Sequence, residues 1–210
     1  MRTARFLTLE GIEGVGKSTQ IARLAAALAQ HGIDAEVTRE PGGTPLAEKI
    51  RGILLDHGAE SLPPVAELLL MFAARALHLD NLIEPALSAG RWVLCDRFTD
   101  ATYAYQGGGR RLDATVIGTL EQLVQGGRRP DLTILLDMPV APALRRAQAR
   151  GGGADRFESE RAEFFERVRR AYLDRAAAEP RRFAVIDAGG TPDAVTHAVW
   201  AAIEARSWIS

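Results

Sequence analysis

Hydrophobic and polar positions divide the chain into two kinds of segment. Short apolar runs each predict a buried strand, and they lie near residues 5–10, 34–38, 91–95, 131–137 and 182–187. Longer segments with apolar positions at helical spacing separate them, at residues 17–31, 44–57, 64–79, 80–89, 113–125, 139–149, 158–178 and 191–206. Strands that alternate with helices predict an α/β fold, with a parallel five-stranded sheet covered by helices on both faces.

Length and charge narrow the class of protein. A chain of 210 residues without a Pro/Ser-rich linker predicts a single domain over residues 1–210. A net charge of −1 gives no global basic field for nucleic acid or for an anionic membrane. No apolar stretch reaches membrane-spanning length and the N-terminus lacks a signal peptide's apolar core. We therefore expect a cytoplasmic protein with neither nucleic acid nor membrane as a partner.

Neither the cysteine nor the histidines indicate a disulfide framework or a metal site. Cys95 is the only cysteine and lies within an apolar run, so we expect a buried strand residue in a reducing compartment. The four histidines are scattered, without the spacing of metal ligands. The chemistry must therefore be sought in other residues.

A phosphate-binding pattern follows the first predicted strand. Residues 11–18 read G-I-E-G-V-G-K-S, between a strand and a helix, as a phosphate loop requires. Its glycines allow backbone N–H groups to surround an anion, and the positive end of the next helix points to the same place. We expect Lys17 to reach the β- and γ-phosphates of ATP and the Ser18 hydroxyl to bind Mg²⁺. The predicted ATP site comprises Gly11, Ile12, Glu13, Gly14, Val15, Gly16, Lys17, Ser18 and Thr19.

A second candidate group follows the third predicted strand, which ends in Asp96, Arg97 and Phe98. Because the carboxyl ends of parallel strands form the ligand crevice, we expect Asp96 and Arg97 near the phosphate loop. Asp96 is placed to hold Mg²⁺ through water, and Arg97 can clamp a phosphate group. The alternative is an ordinary surface ion pair at the end of a strand.

Three consecutive glycines lie between Arg150 and Arg156. This segment is either an ordinary glycine-rich connection beside a solvated helix or a hinged lid that brings arginines to a transferring phosphoryl group. The phosphate loop favours the second interpretation. We therefore predict a mobile lid at about residues 145–158, with Arg150 and Arg156 as catalytic cations.

Six motifs, read together, resemble one family. They are residues 11–18, T-R-E-P-G-G-T at 38–44, D-R-F at 96–98, A-Y-Q-G-G-G-R at 104–110, R-P-D-L-T at 129–133 and D-R-F-E at 155–158. In this order they closely resemble bacterial thymidylate kinase over essentially the whole chain. The resemblance implies a P-loop NTPase-type, nucleoside monophosphate kinase-like fold. It also implies transfer of the γ-phosphate of ATP to dTMP, with Mg²⁺, to give dTDP.

The resemblance also implies roles for individual residues. Arg97 matches the arginine that holds the dTMP phosphate, and Arg75 the one that bonds a thymine carbonyl. An aromatic residue one turn before Arg75 stacks on the base; we favour Phe72 here, although the family often has it where this chain has Met71. The remaining predicted substrate contacts are Glu13 to the sugar 3′-hydroxyl, Thr102 and Gln106 to the base, Tyr105 beside the ribose 2′ position, and Arg39.

One variant of the family carries an arginine in the phosphate loop after the acidic residue. Here Gly14 follows Glu13 instead, so the resemblance implies the variant whose lid supplies the catalytic cation. The predicted catalytic set is Lys17, Arg97, Arg150 and Arg156. The family forms homodimers, and the apolar stretch at residues 65–79 offers an interface, although the same pattern is also typical of a core.

Two other functions compete with this interpretation. The nearest is a kinase for another nucleotide or a deoxynucleoside, because a few pocket contacts set the choice of base. The other is a nucleotide-dependent switch. A common GTPase would need an Asn-Lys-x-Asp motif, and the only asparagine, Asn81, is followed by Leu82.

Overall fold

The central sheet confirms the predicted α/β architecture. The computed structural model of the chain describes residues 3–56, 61–149, 156–157 and 160–209. Five parallel strands pair in the order β2–β3–β1–β4–β5. They are β1 (Phe6–Glu10), β2 (Ala35–Arg39), β3 (Trp92–Asp96), β4 (Leu132–Asp137) and β5 (Phe183–Asp187). Each of the five lies within one residue of its predicted position.

Helices connect the strands. They are α1 (Lys17–Gln30), α2 (Pro45–Leu55), α3 (Pro64–His78), α4 (Glu84–Ser88), α5 (Thr99–Thr102), α6 (Ala114–Gln125), α7 (Val140–Ala149), α8 (Ala162–Ala178) and α9 (Pro192–Glu204). A π-helical turn, Leu79–Ile83, joins α3 to α4, so the two helices predicted at 64–79 and 80–89 are continuous. The helix predicted from residue 158 begins later, at Ala162.

Sequence reasoning missed the helical structure after β3. The chain forms α5 and then a π-helical segment, Tyr103–Gly109, which ends in three glycines. Glycine is unfavourable in a helix, so no local signal predicts one here. Packing against α8 supplies the reason, because a Cβ atom on Gly109 would lie 2.5 Å from the ring of Phe164. Only glycine allows the two elements to approach this closely.

Alternate residues of β1 face opposite sides of the sheet. Leu7 and Leu9 belong to the large hydrophobic cluster that includes Ile21 and Leu24 of α1. Phe6 points the other way and packs in a second cluster with Ile83. Both faces of the strand are therefore buried beneath helices, as expected for a parallel sheet. The carboxyl edge, where β1 leads into residues 11–16, is left for the site.

Candidate active site

The phosphate loop occupies the turn between β1 and α1. Gly14 has a φ of 80°, and a Cβ atom there would lie 1.9 Å from the carbonyl oxygen of Ala143 in α7. No side chain, and so no arginine, fits at this position of the loop. Helix α1 begins at Lys17, and no side chain of the described residues caps its N-terminus. The free N–H groups of its first turn therefore remain available to an anion.

Lys17 is held at this loop by backbone groups. Its Nζ donates to the carbonyl oxygens of Gly11 and Ile12, each at 3.1 Å. Burial, together with the positive charge of Arg97, lowers the pKa of Lys17 to about 8. A phosphate in the loop would add negative charge beside the ammonium group, and would stabilise its charged form.

A cavity opens beside the loop at the carboxyl edge of the sheet. It gathers residues that the sequence places far apart, from the phosphate loop, α3, β3 and the helical segment after β3. Most of the predicted site residues line it: Glu13, Gly14, Gly16, Lys17, Ser18, Arg39, Arg75, Asp96, Arg97, Thr102, Tyr105 and Gln106. We call this the acceptor cavity.

Arg97 and Glu13 form an ion pair in the acceptor cavity. Arg97 Nη2 lies 3.0 Å from Glu13 Oε1, and the Tyr105 hydroxyl donates to both Glu13 oxygens at 2.8 and 2.7 Å. The guanidinium group also stacks over the Tyr105 ring, with 4.7 Å from its Cζ to the ring centroid. The backbone of Arg97 has a φ of 70°, a strained conformation for a non-glycine residue. Such strain is typical of a functional position that its surroundings hold in place.

Two residues outside the motifs support Arg97. Glu10 is buried at the end of β1, where it accepts from the Phe98 N–H and the Tyr172 hydroxyl, both at 2.7 Å. Tyr172 in turn accepts a 3.0 Å hydrogen bond from Arg97 Nη1. Burial, and then the charge of Asp100, raises the pKa of Glu10 to about 8. In the sequence, the only sign of these contacts is a carboxylate, Glu10, at the end of an apolar strand pattern.

Asp96 provides an oxygen suited to a magnesium site. Its Oδ1 is buried without a hydrogen-bond partner among the described residues. The residue lines the acceptor cavity together with Ser18. An acceptor oxygen without a donor matches a water bound to Mg²⁺, because the metal polarises the water's hydrogens towards it. The donor set present therefore fits the metal that the sequence predicted.

Arg75 is oriented by a buried polar network. Its Nε donates to Glu40 Oε2 at 2.8 Å, and its Nη2 donates to Thr102 Oγ1 at 2.9 Å. His78 Nδ1 lies 3.0 Å from the other Glu40 oxygen, and its Nε2 lies 2.8 Å from Thr38 Oγ1. Arg75 Nη1 is buried and has no partner among the described residues. The arginine lines the acceptor cavity and can only donate hydrogen bonds there.

The preference for Phe72 over Met71 does not fit the structure. Phe72 is 2% exposed and packs in the core with Leu68 and Ile117. Met71 lines the acceptor cavity, and Phe72 is not among the residues that do. One residue along a helix rotates the side chain by about 100°, which turns Phe72 away from the cavity. The structure thus puts the thioether, not the ring, on the cavity wall.

Arg39 and the lid residues complete the predicted set. Arg39 lines the cavity and forms a 2.9 Å ion pair with Glu48. Arg150 and most of the predicted lid lie outside the described residues. Arg156 donates to Glu67 Oε2 at 2.5 Å and to the Leu54 carbonyl at 2.9 Å. These contacts direct Arg156 towards α2 and α3, and it is not among the residues that line the acceptor cavity.

A second cavity lies on the other side of the phosphate loop, and sequence analysis did not predict its distal wall. Here Arg146 of α7 donates to the carbonyl oxygens of Ala188 at 2.9 Å and Gly189 at 3.2 Å. Thr19 of the predicted ATP site lines this cavity rather than the first. The full lining comprises Gly14, Val15, Gly16, Ser18, Thr19, Gln20, Arg146, Ala188, Gly190, Pro192 and Val195. We call this the donor cavity.

The fold and the site together define a class of enzyme. A phosphate loop that separates two cavities, one of them lined by oriented arginines, is the arrangement of a P-loop kinase that acts on nucleoside monophosphates. Among the described residues, no helix has the length and apolar character to cross a membrane.

Comparison with known proteins identifies the family. A family model described as thymidylate kinase matches residues 9–199. The chain is 59% identical to a thymidylate kinase of Chromohalobacter salexigens, over 99% of this chain and 100% of that protein. It is 60% identical to a thymidylate kinase of Pseudomonas putida, over 90% of each chain. A crystal structure of thymidylate kinase from Ehrlichia chaffeensis superimposes with a TM-score of 0.79 and 34% identity, covering 96% of this chain and 98% of that one.

The chain therefore belongs to the thymidylate kinase family, and the resemblance read from the motifs is confirmed. Membership confirms that the chain is an enzyme and a phosphotransferase of nucleotide biosynthesis. The GTPase-like alternative is excluded, because the match covers nearly the whole chain.

Proposed function

We propose that this chain transfers the γ-phosphate of ATP to dTMP, giving dTDP and ADP, as the first step from dTMP towards dTTP. The observation that carries this proposal is the acceptor cavity. One wall of it is the phosphate loop, and others carry Arg97 and Arg75. A deoxynucleoside monophosphate has a charged end and a base end that match these groups.

ATP is proposed to bind across the loop. Its phosphates accept hydrogen bonds from the backbone of residues 11–19 and from Lys17. Its base occupies the donor cavity, beside Arg146. In this arrangement the two nucleotides approach the loop from opposite sides, with the γ-phosphate directed at the acceptor.

Mg²⁺ is proposed to bind between the Ser18 hydroxyl and the unpartnered Asp96 oxygen. When bound, it would neutralise charge on the phosphates of ATP. Ser18 and Asp96 fix where the metal sits, while the residues around them bind and orient the substrates. Fluorescence quenching by Mn²⁺ in place of Mg²⁺ tests the site, and Asp96→Asn should weaken the quenching.

The acceptor needs placement more than activation. A phosphate monoester has a second pKa of about 6, so it is already mostly dianionic at neutral pH. Arg97 is proposed to clamp that dianion, releasing Glu13 to accept from the sugar 3′-hydroxyl. Lys17 stabilises charge on the transferred group. Positioning and electrostatics, rather than a general base, then account for catalysis.

Recognition of the nucleoside is proposed to use the remaining cavity residues. Met71 packs on the base, since a thioether is soft and makes favourable contacts with aromatic rings. Arg75 donates to a carbonyl of the base, Thr102 and Gln106 face the same edge, and Tyr105 crowds the ribose 2′ position. Arg39 lines the same cavity and completes the substrate contacts.

A lid over residues 145–158 is proposed to close on the two nucleotides within a single kinase domain. Gly14 excludes an arginine from the loop, so Arg150 or Arg156 would supply the catalytic cation. We expect Arg150→Ala to cut turnover severely while dTMP still binds. Near-normal turnover would remove Arg150 from catalysis and leave Arg156, which would then have to leave Glu67 when substrates bind.

The chain is proposed to form a homodimer. Helix α3 packs against α2 and α6, and each of the three helices carries exposed large apolar residues. These are Leu46 and Ile53 of α2, Val65 and Leu69 of α3, and Val116 and Leu123 of α6. Sedimentation at micromolar concentration tests the assembly, and a clean monomer would refute it.

We propose a cytoplasmic location and neither nucleic acid nor membrane as a partner.

A panel of nucleoside monophosphates tests the proposed activity. ADP formation with ATP and Mg²⁺ should be fastest with dTMP, compared with dUMP, dCMP and UMP. A preference for dCMP or UMP would point to the rival nucleotide kinase. ATP turnover that does not depend on any acceptor would overturn the kinase assignment of this cavity.

A further inference from the structure

Glu67, a residue in none of the motifs, lies behind the acceptor cavity on α3. Its side chain has no exposed surface. Three donors converge on its carboxylate: Gln106 Nε2 at 2.7 Å, Arg156 Nη2 at 2.5 Å and Arg110 Nε at 3.4 Å. Two of these donors are guanidinium groups, so the buried carboxylate is paired with two arginines. Glu67 is therefore an acceptor with fixed neighbours on each side.

The contact with Glu67 decides which way the Gln106 amide points. A carboxylate only accepts hydrogen bonds, so the amide must present its Nε2 to Glu67. Gln106 lines the acceptor cavity, and its Oε1 forms no hydrogen bond within the described residues. The oxygen end of the amide is thus the end that remains for a ligand.

Arg75 presents the opposite polarity to the same cavity. Its Nε and Nη2 are engaged by Glu40 and Thr102, and its buried Nη1 has no partner in the described part of the chain. A guanidinium group has donors only. Among the groups that line the cavity, Arg75 can therefore only donate, and the free end of the Gln106 amide is an acceptor.

We propose that Glu67 is a specificity-determining residue. By holding the Gln106 amide with its nitrogen towards Glu67 and its oxygen towards the cavity, it sets which hydrogen bonds the base site can form. A donor and an acceptor in the cavity match a base edge with a carbonyl beside an N–H, as in thymine and uracil. Cytosine has an amino group and an unprotonated ring nitrogen there, so both contacts become unfavourable. This inference rests on the proposed function and deepens it.

Replacing Glu67 with glutamine should reverse one of these hydrogen-bond preferences. In Glu67→Gln, Arg156 Nη2, which lies 2.5 Å from Oε2, keeps the new amide oxygen on its own side, since Arg110 Nε is 3.4 Å from either oxygen and competes weakly. An amide nitrogen then replaces the carboxylate oxygen next to Gln106. Two donors then face each other, and the Gln106 amide must turn round to present its oxygen to residue 67. Its Nε2 then faces the cavity and suits the ring nitrogen of cytosine. Arg75 is unchanged and still favours a carbonyl.

The test compares dUMP with dCMP, which share a sugar phosphate and differ at the edge that Gln106 and Arg75 face. We expect Glu67→Gln to lower the ratio of kcat/KM for dUMP over dCMP by about tenfold or more, without inverting it. A ratio within twofold of the parent would overturn the proposal. Arg110→Gln is the matched control, because it removes another partner of Glu67 and leaves the carboxylate; its ratio should stay within twofold of the parent.

A double-variant cycle separates this role from general damage to the pocket. In a Gln106→Met background, which has no amide to turn, Glu67→Gln should no longer change the ratio. A change of the same size in that background would show that Glu67 acts through something other than Gln106, and the proposal would fail.

The parent protein offers a test that does not depend on Glu67→Gln folding. The side-chain N–H resonances of Gln106, assigned by their absence in Gln106→Met, should exchange slowly with water because Glu67 holds them. Exchange at the rate of a free amide would contradict the proposal. If the parent phosphorylates neither dTMP nor dUMP, the proposed function fails, and this measurement still decides whether Glu67 holds Gln106.

Discussion

The two cavities beside the phosphate loop are lined by different kinds of chemical group. In the acceptor cavity, charged side chains are paired with one another, as in the Arg97–Glu13 and Arg75–Glu40 pairs. The donor cavity is lined mainly by small and backbone groups, and its arginine, Arg146, bonds to carbonyl oxygens instead of carboxylates. The same fold thus uses side-chain networks on one side and backbone on the other.

This difference has a physical consequence. A buried arginine paired with a carboxylate has a fixed direction, so it can distinguish one base edge or one phosphate position from another. Backbone N–H groups and a lysine recognise negative charge wherever the loop places it. We therefore expect changes in the acceptor cavity to alter binding and selectivity, and changes in the loop to alter turnover.

The largest effect is expected at the loop. Lys17→Ala removes the ammonium group that stabilises the transferred phosphate, and should lower kcat by about 10²–10³-fold. Calorimetric titration should show dTMP affinity within twofold of the parent. Lys49→Ala is the matched control, because Lys49 is the other lysine of the chain and is exposed on α2. Loss of dTMP binding in Lys17→Ala would contradict the expectation that the loop governs turnover and the acceptor cavity governs binding.

The complementary change lies in the acceptor cavity. Arg97→Ala removes the proposed phosphate clamp and leaves Glu13 without its ion-pair partner, so the Kd for dTMP should rise about 30-fold or more. Arg170→Ala, at an exposed arginine paired with Asp174, should leave that Kd unchanged. An unchanged Kd in Arg97→Ala would remove Arg97 from the acceptor site.

A smaller effect tests the hydrogen-bond network around Glu13. Tyr105→Phe deletes the hydroxyl that bonds both Glu13 oxygens and keeps the ring under the Arg97 guanidinium. We expect kcat/KM for dTMP to fall about tenfold, since a hydrogen bond to a charged group is lost. Tyr103→Phe loses a comparable bond, to Glu121, outside the cavity and should have less than a twofold effect. Equal effects would mean that the network does not organise the site.

The last prediction concerns stability and pH instead of turnover or binding. Because the pKa of Glu10 is raised from 4.5 to about 8, the folded protein keeps a proton that the unfolded chain has lost in this range. The free energy of unfolding should therefore fall with rising pH across that window, by at most about 1.4 kcal/mol per pH unit. Urea unfolding of the parent minus that of Glu10→Gln isolates this contribution. A difference that stays constant with pH would show that Glu10 titrates normally.

Most of the fold could be predicted because its signals are local. Each strand is a short apolar run, and each predicted helix has its own apolar spacing. The helical segment after β3 could not be predicted in this way. Its three glycines oppose a helix locally, and only the close approach of α8 at Gly109 selects it. A contact between residues distant in sequence here overrides local preference.

The site residues divide in the same way, into those with a local sequence signal and those that depend on contacts between distant residues. The motifs predicted the phosphate loop, Asp96 and Arg97, because their chemistry is tied to short strings of residues, and the family resemblance added Arg75. Sequence could not distinguish Met71 from Phe72, since a rotation of one residue along α3 decides which side chain meets the cavity. The structure also adds two carboxylates that no motif contains, Glu10 and Glu67, and gives Glu40, which lies within a motif, its role as the partner of Arg75.

By itself, the amino-acid sequence determined the class of fold, the phosphate loop and the family, because these depend on residue type and order along the chain. The tertiary structure alone decided how the site's arginines and amides are oriented. Arg97 faces Glu13, Arg75 keeps one donor unpartnered, and Gln106 turns its nitrogen to Glu67. Orientation depends on partners that come from other elements of the fold, so it exists only once those elements have packed together.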